Sequence, residues 1–274
     1  MSPSPRPATP RRRAAPSGGA ITLSESDGVR YLHFGTEWVQ GAMRIARPYQ
    51  LEIEYQQQMM AGLLLLPRPA RILQLGLGAA ALTKFCHRFV AGAETVAVDL
   101  DASVIDAARR WFRLPPDDAR LTVHCADARE FLAALRGRPY TDWLQVDLYD
   151  AQARGPVYDD AGFYRACRAS LRRPGVAAFN LFGRSGGPSV AAISETFEGR
   201  VLPLPQADAG NRVVLGITGP RIDLPFSELF ARARQIENEY ALPARKWVSG
   251  LRAAVQAGER GSAEGGGLPA KLVA

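Results

Sequence analysis

Residues Arg71–Phe85 read R-I-L-Q-L-G-L-G-A-A-A-L-T-K-F. An apolar, strand-like run ends in Gly76-Leu77-Gly78, and a helical pattern follows without a break. Glycine lets a chain turn tightly and approach a ligand, and the helix start behind it offers unpaired N–H groups. The stretch therefore has the form of a nucleotide-facing strand, loop and helix. It lacks a third glycine and carries no acid, and Gly-x-Gly alone is common, so the surrounding chain must decide.

Outward from this loop the pattern alternates. Strand-like runs occupy 72–76, 95–99, 121–125, 143–148 and 176–182, with helical patterns at 79–90, 102–112, 127–136 and 159–172 between them. Apolar strands alternating with helices predict an α/β fold with a mostly parallel sheet covered on both faces. A helical segment at 189–198 precedes two further strands, 201–205 and 212–218, joined by a turn near Gly210. Helices at 226–240 and 244–256 follow. Upstream, 21–25, 29–34 and 38–45 suit short strands with a turn at Asp27-Gly28, and a helical stretch spans 51–66, closed by Pro67. The implied organisation is a Pro/Arg tail at 1–18, expected to be disordered, and a β-rich element with a helix at 19–66. An α/β domain at 67–258 and a mobile Gly-rich tail at 259–274 complete it.

Composition narrows the setting. The net charge of +7 is concentrated in the opening tail, which holds Arg6, Arg11, Arg12 and Arg13 and no acid; the rest is close to balanced, so nucleic acid is not favoured as a partner. The tail lacks the apolar core of a secretory signal, and the longest apolar run, 61–67, is far too short for a bilayer. Cys86, Cys125 and Cys167 have neither metal-ligand nor paired spacing, so no metal site is expected. They read as buried free thiols in a cytoplasmic protein. Trp38, Met43, Met59 and Met60 read as packing residues, and Arg44 and Arg47 as surface arginines.

In open parallel sheets, ligands lie beyond the carboxyl ends of the strands. Asp99, followed by Leu100, ends the second strand about twenty residues past the glycines, where an acid accepts both ribose hydroxyls; Asp101 or Ser103 suits the helix cap better. Asp127, before Ala128, suits a helix cap, an adenine amino contact, or both. Asp147 and Asp150 emerge three apart after the fourth strand. Three strands presenting acids at one sheet edge favour a cationic ligand, and a sulfonium nucleoside with an amine fits. Asp159 and Asp160 start a helix, where acids are expected from the dipole alone.

The stretches L-Q-L-G-L-G, V-A-V-D-L-D-A-S-V-I-D-A-A-R, V-H-C-A-D-A-R-E-F-L and V-D-L-Y-D, with F-Y-R-A-C-R-A-S-L-R-R-P-G-V, resemble the spermidine synthase (polyamine aminopropyltransferase) family, in a compact bacterial form. The resemblance runs from about Leu23 to Leu181. It implies a seven-stranded Rossmann-like methyltransferase fold and an aminopropyl donor, decarboxylated S-adenosylmethionine, with no metal. It also implies a small-molecule amine acceptor and a homodimer. On this resemblance Asp99 holds the ribose and Asp127 lies by the adenine. Asp147 binds and deprotonates the amine with Asp150 assisting, and Gln40 contacts the nucleoside. Tyr55 stands where the family has a Tyr-His pair, here Tyr55-Gln56. The family's loop acid is replaced by Ala79, and two serines by Leu148 and Tyr149. These departures keep two other readings open: an S-adenosylmethionine-dependent methyltransferase, and a nucleoside-binding protein without catalysis.

Overall fold

The computed structural model describes residues 21–150, 155–182, 186–260 and 271–273. The expected tail at 1–18 lies outside them. The chain opens with an antiparallel three-stranded sheet, β1 (Ile21–Ser26), β2 (Val29–Phe34) and β3 (Gly41–Arg44), its first turn made at Asp27-Gly28. Next comes α1 (Glu54–Met59), continued by a 3-10 turn over Met60–Leu64. The helical stretch expected at 51–66 is thus shorter and tightens halfway.

A seven-stranded sheet follows. In chain order it comprises β4 (Arg71–Leu75), β5 (Glu94–Asp99), β6 (Leu121–Cys125), β7 (Thr141–Val146), β8 (Leu171–Phe182), β9 (Val201–Pro203) and β10 (Asn211–Thr218). In space the order is β6-β5-β4-β7-β8-β10-β9, and only β10 runs antiparallel to its neighbours. The strand order reverses between β4 and β7, where a doubly wound sheet opens a crevice for a ligand.

The apolar runs are continuous because both faces are covered. Ile72, Trp143, Val176, Ala178, Val213 and Leu215 face one core, while Leu73, Leu75, Leu144, Val146, Ala177, Phe179 and Val214 face the other. On the first face lie α2 (Ala81–Phe89), α7 (Phe226–Tyr240) and α8 (Ala244–Arg260), through residues such as Phe85, Ile236 and Trp247. On the second lie α4 (Ala128–Ala134), α5 (Ala161–Ser170) and α6 (Gly186–Thr196), through Leu132, Phe163 and Ile193. Between β5 and β6, α3 (Ala102–Trp111) closes the edge with Ala108. A third, small sheet pairs β11 (Asp223–Pro225) with β12 (Lys271–Val273). β12 lies inside the stretch expected to be a mobile tail. Leu272 there is buried in the first core, and that apolar anchor holds the strand.

Two other expectations are corrected. Cys86 and Cys167 are buried, but Cys125 is exposed, because β6 is the edge strand and Cys125 ends it. Met43, Met59 and Met60 are core residues, whereas Trp38 stands 58% exposed in the turn before β3. No described helix is long and apolar enough to cross a membrane.

Candidate active site

The register brings the expected residues to one edge. Leu75 of β4 pairs with Val98 of β5 and with Val146 of β7, so Gly76, Asp99 and Asp147 leave three adjacent strands at one level. Gly76 takes φ +96°, and a Cβ there would lie 2.0 Å from the Asp147 carbonyl oxygen. Only glycine fits this close approach. Gly78 (φ +50°) and Ala80 (φ +54°) carry the chain into α2, whose start has no side-chain cap. Leu77 is buried against α3 and β5.

The three-stranded sheet is seated on this loop. Leu32, Met43 and Phe112 enclose Ala79, and a Cβ on Gly41 would come within 2.5 Å of the Ala79 Cβ. Position 79 is therefore a packing point, 2% exposed, with no room for an acid. Just before β3, the Gln40 side-chain amide donates to the Asp150 carbonyl at 3.2 Å. The entry sheet is thereby tied to the loop after β7, with the glycine turn between them.

Asp99 accepts from the Leu77 N–H and the Asp101 N–H, both at 2.9 Å. Burial raises its pKa above the ordinary value, opposed by these N–H groups. The Gly78 N–H also favours its charged form, and the lone pairs left over can accept a ligand hydroxyl. Asp101 caps α3, accepting from Ser103, so Asp99 is free of that duty. Leu100 is exposed beside it. Asp127 does cap α4, through one oxygen bonded to the Arg129 and Glu130 N–H groups at 2.8 and 2.9 Å. Its other oxygen accepts from the Tyr158 hydroxyl. Ala128 is buried in the second core, so only its backbone can face a ligand. Arg129 stacks on the Tyr158 ring, 4.5 Å from its centroid.

Asp147 is held differently. One oxygen accepts from the Asn180 amide at 2.8 Å and the other from the Tyr55 hydroxyl at 3.2 Å. Burial raises its pKa above the usual carboxylate range, and these two donors counter the rise. Burial, then the negative Asp147, push the Tyr55 hydroxyl well up, so Tyr55 stays protonated and donating. Behind them, Asn211 donates to the Asn180 side-chain oxygen at 3.0 Å, and the Tyr149 hydroxyl to the Asn180 carbonyl at 3.1 Å. Asn180, Asn211 and Tyr158 were not expected at the site from the sequence. The visible signal was Asn180 itself, an amide inside the apolar run V-A-A-F-N-L-F.

No family model matches the chain. The polyamine aminopropyltransferase of Chromobacterium violaceum is 31% identical to it over 249 residues, covering 88% of this chain and 94% of that protein. The chain belongs to the polyamine aminopropyltransferase family. A probable spermidine synthase from Corynebacterium glutamicum superposes with a TM-score of 0.65 at 21% identity, over 84% of this chain and 91% of that one, which is a likeness of fold. Human methyltransferase-like protein 13, solved in complex with SAH, superposes with a TM-score of 0.61 at 26% identity, over 69% and 92%. Gln56 is buried beside Tyr55, and its side-chain oxygen has no hydrogen-bond partner among the described residues. Among those residues no group of three or more His, Cys, Asp or Glu is placed to hold a metal.

Proposed function

We propose that this protein transfers an aminopropyl group from decarboxylated S-adenosylmethionine to a polyamine amine. The nucleoside lies along Gly76-Leu77-Gly78, its ribose hydroxyls on Asp99 and its adenine by Asp127 and the Ala128 backbone. Gln40 and Leu100 border it. The carrying observation is Asp147, a shielded carboxylate whose two oxygens both accept hydrogen bonds from neutral donors. A carboxylate so placed attracts an ammonium ion and takes its proton, and Asp150 adds negative charge on the same loop.

The neutral amine nitrogen then attacks the CH₂ bound to the sulfonium. The N–C bond forms, the C–S bond breaks, and its electron pair stays on sulfur as the neutral thioether methylthioadenosine. The protein's part is alignment, removal of a proton by Asp147 and a field that favours the cationic amine. The buried Ala79 gives the donor's own amine no carboxylate at that position. A cytoplasmic homodimer belongs to the same proposal.

Purified protein given the decarboxylated donor and putrescine tests the reading by mass spectrometry of the polyamine product. Spermidine formation supports it. Absence of an aminopropylated product with putrescine and with longer polyamines overturns it.

A further inference from the structure

Asp147, Asn180 and Asn211 sit on one face of the sheet. Val146 pairs with Phe179, which puts Asp147 beside Asn180. In the antiparallel pair, Asn180 is opposite Val213, so Asn211 is its same-face diagonal neighbour. Three strands thus deliver three polar side chains in a row into the buried side of the site: Asn180 is 3% and Asn211 7% exposed.

The polarity of this row is fixed by chemistry. A carboxylate only accepts, so the Asn180 NH₂ must face Asp147 and its oxygen must face away. That oxygen is met by a donor, the Asn211 NH₂. On the other side, the Gln56 amide lies 3.5 Å from the Tyr55 oxygen, leaving the Tyr55 proton for Asp147. Donors therefore point inward at Asp147 from both flanks. Among the described residues no arginine or lysine forms an ion pair with Asp147. Among the described residues, the titratable groups that interact with it are Tyr55 from α1 and Tyr149 from its own loop, with Asp150 three residues further along the chain.

We infer that Asn211 and Asn180 act as a polarised relay that fixes the orientation of Asp147 and keeps it an ionised acceptor for the substrate amine. This rests on the reading of Asp147 as the amine-binding base. Asn180 and Asn211 are positioning residues, because Asn180 acts through Asp147 and Asn211 through Asn180.

The test is the carboxyl ¹³C titration of Asp147 in the full chain without substrate, its resonance assigned by its loss in Asp147→Asn. Beside it stands the acid limb of kcat/KM for putrescine. Asn180→Ala removes a charge-assisted hydrogen bond and should move both upward by about one pH unit. Asn211→Ala should move them in the same direction by less. Asn211→Asp, close in shape but an acceptor, draws the Asn180 NH₂ toward itself, turns the Asn180 oxygen onto Asp147 and should move both more than Asn211→Ala does. A merely structural role predicts lower Tm with no change in titration. Titration of Asp147 within about 0.2 pH unit of wild type in all three variants overturns the relay. Should Asn180→Ala fail to fold, the two Asn211 variants decide alone. If the resonance shifts as stated but no polyamine forms with any protein, the relay stands and the aminopropyl reading falls. If wild type transfers and the titrations do not move, only the relay falls.

Discussion

The two halves of the site hold their carboxylates in opposite ways. On the nucleoside side, Asp99 and Asp127 are gripped mainly by backbone N–H groups: Leu77 of the glycine loop and Asp101 for the first, Arg129 and Glu130 for the second. On the amine side, Asp147 is gripped by side chains brought from distant segments, Tyr55 and Asn180. Backbone donors at a loop or helix start exist whatever side chains surround them, so that half tolerates variation. The amine half depends on particular side chains.

The sharpest way to break this contrast is Asp147→Asn. Loss of a general base costs about 10²–10⁴-fold in rate. Calorimetric affinity for methylthioadenosine should stay within about threefold, because the nucleoside grip lies on other strands and the change is far below one hydrogen bond to a charged group. Loss of both together would show that the halves are not separable. Asp99→Asn is the converse. It removes charge from the ribose contact and should weaken methylthioadenosine by about 10–100-fold, the worth of hydrogen bonds to a charged group.

Smaller effects fall on stability. Asp127→Ala deletes the α4 cap and should cost about 1 kcal/mol in a denaturant titration, since two helix N–H groups lose their acceptor. A pH-dependent effect on stability falls on Lys84, buried on α2 behind the glycine loop with its ammonium donating to the Phe112 carbonyl at 2.6 Å. Burial lowers its pKa to about 7. An unfolded lysine keeps its proton to about pH 10.4, so between these values the unfolded chain binds more protons and stability rises with pH. Below about pH 7 that contribution is absent. Tm followed from pH 7 to 10 should rise less in Lys84→Met than in wild type; equal slopes would contradict the assignment.

The same contrast explains what could be read in advance. The positions of Gly76, Asp99, Asp127 and Asp147 were legible because each lies within two residues of a strand's end, and strand ends follow from local pattern and spacing. The parallel core was legible for the same reason. Asn180 and Asn211 were not, because their meaning lies in the β8–β10 register, which no local pattern encodes. Cys125 was misread as buried because an edge strand and a central strand share the same apolar signature. Trp38 was misread because its size suggests packing while its turn leaves it in solvent. β11 and β12 were missed because three-residue strands paired across nearly fifty residues carry no periodicity.

The most direct test of the account is the nucleoside left after reaction. The protein is incubated with putrescine and, in separate reactions, with decarboxylated and intact S-adenosylmethionine, and the nucleoside products are separated and weighed. The account predicts methylthioadenosine from the decarboxylated donor, in one-to-one amount with spermidine, and no S-adenosylhomocysteine from the intact one. Formation of S-adenosylhomocysteine with a methylated amine, and no methylthioadenosine, would contradict it.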